Sequence, residues 1–306
     1  MLAKLLVALV VFLEILNVPS ASNKTEQWAR SALNEPITEK PQTVTDTNWA
    51  QILPYPLRKP NIKDPLLDAE GAIVIDLPTS KILFQKNLDK RFALASLTKI
   101  MTALVVLENY NLGDVIIVPK EAPLLPGAKI NLKTGERLTV ESLLYGLLLY
   151  SGNDAAYTLA SKMGEGEFVF RMNQKAKDLG LYTLHFADPT GLDPNNSTTP
   201  KDLASLASFA LKNPKFAQIV KTNEFVIYSV DGRITHPLRN TNRLLREYPG
   251  TFGVKTGYTE EAGHNLISAV ERDNHKVLAV VLKNPSNQFK ESERLLDWVF
   301  SAYIWD

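Results

Sequence analysis

The sequence predicts an α+β fold, with one antiparallel sheet built from both ends of the globular part and helices flanking it. Three observations carry this. Two β-rich apolar runs, "AIVIDL" and "KILFQKN", stand near the start of that part. Two more, "NLISAVE" and "KVLAVVLKN", stand near its end. Helical periodicity dominates the span between them. Strands at both ends with helices between them point to one sheet with helices packed on it.

The chain opens with a short basic lead, "MLAK", and an uninterrupted apolar run at residues 5–13, closed by Glu14 and then "NVPSAS". That is the layout of a signal peptide covering residues 1–22, with cleavage near Ser20 to Ser22. The run is shorter than the ~20 residues a spanning helix needs. An uncleaved anchor is the alternative, and either way the body of the chain is exported. Residues 23–66 read as a flexible linker: Pro36, Pro41, Pro54, Pro56, Pro60 and Pro65 punctuate a polar stretch with no sustained period. The catalytic body is expected at 67–306.

Within the body, "AIVIDL" and "KILFQKN", joined through Pro78, Thr79 and Ser80, read as a β-hairpin. Residues 91–110, "RFALASLTKIMTALVVLENY", read as a helix from about Ser96 that is apolar around its whole circumference, so buried on all sides. "TVESLLYGLLLYSGNDAAYTLASKM" reads as helical segments broken at Ser151-Gly152-Asn153. "EFVFRMNQKAKDLG" is an amphipathic helix ending at Gly180, and "PKDLASLASFALKN" another with Pro200 in its first turn. After the two β-rich runs, separated by Arg272-Asp273-Asn274-His275, "ESERLLDWVFSAYI" closes the chain as a helix.

Composition removes several functions. The 306 residues carry 34 Lys+Arg against 33 Asp+Glu, so the basic excess of a nucleic-acid binder is missing. With no cysteine there is no disulfide, thiol nucleophile or thiolate metal site. The four histidines, His185, His236, His264 and His275, form no His-Glu-x-x-His pair, and there is no Gly-x-Ser-x-Gly elbow. A zinc hydrolase and an α/β-hydrolase are not expected.

The buried helix holds a hydroxyl, Ser96, and an amine, Lys99, three residues apart. A Ser-x-x-Lys pair arises by chance about once in such a chain, and an N-cap beside a snorkelling lysine would account for it. Burial changes its meaning. Residues three apart share a helix face, and an ammonium without hydration moves toward its neutral, basic form. A neutral amine beside a hydroxyl is what nucleophilic catalysis requires, and the free N–H groups of a helix start suit a developing oxyanion. Two further polar islands stand in apolar settings: Ser151 and Asn153 where a helix breaks, and Lys255-Thr256-Gly257 just before the β-rich run. A plain turn and a solvated strand end are the ordinary accounts of these. Lys133-Thr134-Gly135 repeats the second triplet, but it is followed by Glu136, Arg137 and a helix capped at Thr139. It is expected to be an exposed turn without chemistry.

Ser96-Leu97-Thr98-Lys99, Ser151-Gly152-Asn153 and Lys255-Thr256-Gly257, in that order, resemble the three motifs of the penicillin-recognising serine enzymes. "ASLTKIMTA", "LLYGLLLYSGNDAA", "ADPTGLD" and "KTGYTEEAGHNL" narrow the resemblance to the D-alanyl-D-alanine carboxypeptidases, the low-molecular-weight penicillin-binding proteins, over about residues 67–306.

The resemblance implies a β-lactamase/transpeptidase-like fold. It also implies removal of the terminal D-alanine from peptidoglycan stem peptides ending in D-alanyl-D-alanine, inhibition by β-lactams, residence in the bacterial cell envelope, and no metal or organic cofactor. Ser96 would attack the carbonyl with Lys99 as general base, and Ser151 would pass a proton to the leaving amine, held in place by Asn153. Lys255 would keep the site electropositive and help depress the Lys99 pKa. Thr256 would bind the terminal carboxylate, with Gly257 beside it in the same substrate-binding stretch, and the N–H groups of Ser96 and Tyr258 would form the oxyanion hole. The sequence departs from the family in two respects. Many members continue into a β-rich domain and a membrane-binding helix after the position where this chain ends, so membrane attachment is expected through the N-terminus only. Tyr258 stands where some relatives have histidine. The alternatives are a class A-like β-lactamase, a DD-endopeptidase or transpeptidase of the same fold, and a non-enzymatic wall-binding protein.

Overall fold

The computed structural model describes residues 55–305. The expected signal peptide, 1–22, and residues 23–54 of the expected linker lie outside them. The end of that linker stretch is held on the body. β1, Leu57–Arg58, pairs antiparallel with Tyr303–Ile304. Lys59 N donates to Ala302 O at 2.9 Å, and Trp298 Nε1 donates to Lys63 O at 2.8 Å. These partners lie more than 200 residues away, and nothing in a proline-punctuated polar stretch announces them.

The expected hairpin forms from β2, Gly71–Asp76, and β3, Ile82–Lys86. The last long strands are β6, Thr251–Thr259, β7, Gly263–Arg272, and β8, His275–Asn284. The five make one antiparallel sheet in the order β6-β7-β8-β2-β3. β8 lies beside β2 with Val280 opposite Ile73, so the two ends of the body do share one sheet. Period-2 alternation divides its side chains between two cores. Ile73, Ile75, Ile267, Ala269, Leu278 and Val280 face the helical layer, whereas Ala72, Val74, Leu266, Val270, Val277 and Ala279 face the C-terminal helix. A strand buried on both faces has to be apolar throughout, which is why these runs read as continuous. β7 and β8 meet at a two-residue turn. Asp273 and Asn274 stand at φ 51° and 65°, the left-handed pair that such a turn demands and that short polar side chains tolerate.

The helices fall largely where expected. α1, Lys99–Asn109, follows a 3₁₀ turn at Ala95–Thr98, and every residue from Lys99 to Val106 is buried. α2, Val140–Leu148, is capped by Thr139, which accepts from Ser142 N. α3, Asn153–Ser161, α4, Glu165–Asp178, and α5, Pro200–Leu211, complete the layer. α6, Pro214–Lys221, was not foreseen, though Asn213 caps it by accepting from Lys215 N and Phe216 N and Pro214 stands in its first turn. The hairpin of β4, Glu224–Tyr228, and β5, Thr235–Arg239, was not foreseen either. α7, Gln288–Ala302, packs Leu295, Leu296 and Val299 on the far face of the sheet. Among the described residues no helix is long and apolar enough to cross a membrane.

Candidate active site

Ser96 sits in the 3₁₀ turn that leads into α1. The residue before it, Ala95, has φ 48°, a left-handed conformation that a side chain adopts only at a cost of about 1–3 kcal/mol. The surroundings impose it. Gly191 lies so close that a Cβ there would be 1.9 Å from Ala95 O, and Gly191 itself has φ 88°.

Lys99 is fully buried, and all three donors of its ammonium are used. Nζ donates to Ser96 Oγ at 2.9 Å, Asn153 Oδ1 at 2.7 Å and Thr190 O at 2.6 Å. Burial pushes its pKa down to about 7, with the charges of Asp188 and Asp154 pulling the other way. Near neutral pH, then, a large share of the molecules carry a free amine in contact with the Ser96 hydroxyl.

Asn153 opens α3 and is anchored twice more, through N to Ala128 O at 2.7 Å and through Nδ2 to Pro126 O at 2.7 Å. Next to it, Asp154 accepts from Ile130 N and Leu132 N, both at 3.1 Å. Residues 126–132 are thereby clamped to the start of α3. Ser151 has φ 69° and is buried, and its Oγ has no hydrogen-bond partner among the described residues.

The third motif comes from the sheet. Lys255, Thr256 and Gly257 lie inside β6, at the sheet edge, and not before a strand as the sequence suggested. The stretch Thr251–Thr259 holds two glycines and a lysine and shows no clear alternation, which hides a strand. A Cβ on Gly257 would meet Leu94 O and Leu97 N at 3.2 Å, so the glycine lets β6 lie against the 3₁₀ turn. Lys255 is 1% exposed and donates to Thr256 O at 3.1 Å. Its pKa falls well below the ordinary lysine value, first through burial and then through the charge of Lys99. At Lys99 itself the first cause of the lowered pKa is burial. Tyr258 is 57% exposed and stacks on His264, ring centroids 4.4 Å apart.

Ser96, Lys99 and Asn153 are thus joined by direct bonds, and β6 reaches the same turn through Gly257. Asn153 contacts the amine, not the Ser151 hydroxyl it was expected to hold. Lys133-Thr134-Gly135 forms an exposed turn with Gly135 at φ 81°, away from these groups. Its neighbour Glu136 is buried, with Oε1 2.8 Å from His236 Nε2.

The contribution of Thr190 O was missed, as was the scaffold behind it. The Asp188 carboxylate accepts from Thr190 N and Oγ1, Gly191 N, Leu192 N, Asp193 N and Asn196 Nδ2, at 2.6–3.3 Å. Asn196 Nδ2 also donates to Thr98 Oγ1 at 3.1 Å, tying this loop to the turn that carries Ser96. The turn-forming letters of "ADPTGLD" signalled a capping aspartate, but not what it would support. Thr241, whose Oγ1 lies 2.7 Å from Thr256 Oγ1, gave no signal.

The chain is similar to known proteins over most of its length. The family described as D-alanyl-D-alanine carboxypeptidase matches residues 59–286. D-alanyl-D-alanine carboxypeptidase DacF of Bacillus subtilis (strain 168) is 37% identical over 247 residues, 77% of this chain and 63% of that protein. The chain therefore spans just under two thirds of the length of that relative. D-alanyl-D-alanine carboxypeptidase of Streptomyces sp. (strain K15) is 36% identical over 257 residues, 76% of this chain and 86% of that protein. The crystal structure of the Streptomyces K15 DD-transpeptidase is similar with a TM-score of 0.74 at 34% identity, covering 78% of this chain and 100% of that one.

Proposed function

The chain belongs to the D-alanyl-D-alanine carboxypeptidase family, and on that premise we propose that it removes the terminal D-alanine from peptidoglycan stem peptides through an acyl-enzyme on Ser96. The observation that carries the reading is the fully buried Lys99 amine, 2.9 Å from Ser96 Oγ and with a pKa brought to about 7. A base with a pKa near the working pH is the best compromise between being deprotonated and being strong enough to take a proton.

In this reading Ser96 Oγ bonds to the carbonyl carbon of the penultimate D-alanine while its proton passes to Lys99 Nζ. The N–H groups of Ser96 and Tyr258 take the oxyanion, and Thr256 holds the substrate's terminal carboxylate. The C–N bond then breaks, and the amine leaves with a proton delivered through Ser151, whose Oγ has no other partner. Water, activated by the same amine, then releases the acyl group and restores Ser96. Asn153 orients the base through its Oδ1. A β-lactam enters by the first of these steps, its ring amide standing in for the scissile bond. Residues 1–22 act as a cleaved signal peptide that delivers the enzyme to the cell envelope; N-terminal sequencing of the mature protein tests this.

The deciding experiment for the activity is incubation with a fluorescent penicillin and, separately, with a peptide ending in D-alanyl-D-alanine. Peptide mapping should place the label on Ser96, Ser96→Ala should abolish it in a folded protein, and D-alanine should be released from the peptide. Label elsewhere, or no D-alanine, overturns the reading.

A further inference from the structure

His236 and Glu136 form a buried titratable pair that the proposed chemistry does not use. Nδ1 of the imidazole lies 2.9 Å from Ile130 O, and Nε2 lies 2.8 Å from Glu136 Oε1. A carbonyl oxygen only accepts, so Nδ1 carries a hydrogen and donates it. A second proton then has to lie between Nε2 and Oε1, on one atom or the other, because two lone pairs in contact repel. Glu136 Oε2 accepts from Lys133 N at 3.0 Å, which fixes the carboxyl group from its other side. The contact at one ring nitrogen sets the role of the other. Glu136 therefore holds the ring with its Nδ1 hydrogen aimed at Ile130.

Ile130 connects two elements that carry site groups. Its N donates to Asp154 Oδ1 at 3.1 Å, next to Asn153 at the start of α3. Its O receives the hydrogen of His236, which stands on β5. Its side chain is wedged at the helix break: a Cβ on Gly152 would lie 3.2 Å from Ile130 Cγ2, and one on Gly146 would lie 2.6 Å from Cδ1. In the other direction, β5 runs through Asn240 into Thr241. The N of Thr241 donates to Leu149 O at 3.0 Å, and its Oγ1 lies 2.7 Å from Thr256 Oγ1. One imidazole thus ties the loop that anchors Asn153 to the strand that leads to Thr256.

We propose that His236 is a positioning residue for acylation: oriented by Glu136, it holds loop 126–132 through Ile130 O, and so keeps Asn153 on the Lys99 amine and Thr256 in place through Thr241. The inference rests on the proposed function and adds to it a pair of residues that touches neither the base nor the nucleophile. A displacement of about 1 Å among groups that act on a substrate costs up to about 10²-fold in rate. Release of this contact is therefore read in the rate constant.

Two substitutions divide the ring between them. His236→Asn places an amide nitrogen near the position of Nδ1 and can keep the bond to Ile130 O. His236→Gln places one near the position of Nε2 and can keep the bond to Glu136, but it releases the loop. Acylation by a fluorescent penicillin is followed to completion, so that the rate constant and the final labelled fraction are read separately, beside a thermal melt. His236→Gln should reach the wild-type labelled fraction roughly 10- to 100-fold more slowly. His236→Asn should be faster than His236→Gln by about fivefold, the scale of one hydrogen bond. Glu136→Gln should stay close to the wild-type rate, since its amide can donate to Nε2 while its oxygen still accepts from Lys133 N. A purely structural role would lower the melting temperature and the labelled fraction and leave the rate of the molecules that do label unchanged. That outcome overturns the proposal, as do equal rates for the two His236 variants, a wild-type rate for His236→Gln, or a Glu136→Gln as slow as His236→Gln. Where a His236 variant does not fold, Glu136→Leu is compared with Glu136→Gln: a slower leucine variant upholds the proposal and equal rates overturn it. Failure of the wild-type protein to label on Ser96 overturns the proposed function and the positioning role with it.

Discussion

Lys99 Nζ and Asn153 Oδ1 are 2.7 Å apart, and the amide that makes this contact is fixed on its other side by Pro126 O. The proposed base is therefore aimed by a residue of a different helix, α3, whose position depends on loop 126–132 and on the break before Asn153. Positioning and protonation of Lys99 can consequently be perturbed separately from each side.

The first prediction concerns pH. In the proposed mechanism Lys99 acts as the free amine, and burial brings its pKa to about 7. Acylation by a β-lactam should rise about tenfold per pH unit below about 7 and level off above it, as general-base catalysis requires. Second-order acylation constants measured across that range check this. A flat profile would place the base elsewhere, and so would near-wild-type acylation by Lys99→Arg, whose guanidinium does not deprotonate.

Asn153→Asp puts a carboxylate where the amide oxygen now lies. An opposite charge within ~4–6 Å favours the ammonium and raises the pKa by about 1–3 units. The acid limb of the acylation profile should therefore move to higher pH by that amount, with much of the rate recovered on the alkaline plateau. Asn153→Ala removes the contact without adding charge. It should lower the plateau and leave the limb short of the aspartate variant's.

Asp188 acts from the opposite side, through Thr190 O. Oδ1 accepts from Thr190 N, Gly191 N and Asn196 Nδ2, and Oδ2 accepts from Thr190 Oγ1, Leu192 N and Asp193 N. In Asp188→Asn, whichever oxygen becomes an NH₂ faces donors. The cost should be about 1–3 kcal/mol per unsatisfied buried group, lowering Tm by several degrees. The lost carboxylate is also the larger of the two charges that raise the Lys99 pKa. The acid limb should therefore move to lower pH while the plateau falls. A thermal melt and the same pH profile separate the two effects.

What the sequence showed and what it hid follow from how each group acts. The burial of Lys99 was legible because residues 100–106 offer no polar face, and the break at Ser151 was legible because Ser-Gly-Asn interrupts two helical runs. The shared sheet was legible in the β-rich runs at the two ends of the body. Thr190 was not, since it acts through a carbonyl that every residue type carries. Thr241 was not, because a lone threonine in a loop has no pattern around it. Asn153 was foreseen as a site residue but paired with the wrong partner, because helix rotation decides whether it faces Ser151 or Lys99. β6 was hidden because a lysine, Lys255, and a glycine, Gly257, occupy strand positions against β-propensity, the glycine to let β6 lie against the 3₁₀ turn.

The last prediction separates this protein from a β-lactamase. Both acylate the same serine, and they differ in how fast water removes the acyl group. Class A β-lactamases activate that water with a glutamate carried between the second and third motifs. Here no glutamate occurs between Glu167 and Glu224. Two aspartates that could stand in are committed elsewhere: Asp188 is saturated by its own loop, and Asp202 accepts from Thr183 N and Oγ1 at the start of α5. Asp193 caps Asn195 N at 2.8 Å. With no glutamate in that span and these aspartates engaged in their own loops, the penicilloyl ester should persist for many turnovers' worth of time, while a D-alanyl-D-alanine peptide releases D-alanine repeatedly. Intact-mass measurement of the penicilloyl adduct over time, beside a D-alanine release assay, tests both halves. Rapid disappearance of the adduct with steady penicillin hydrolysis, and no D-alanine from the peptide, would reverse the assignment.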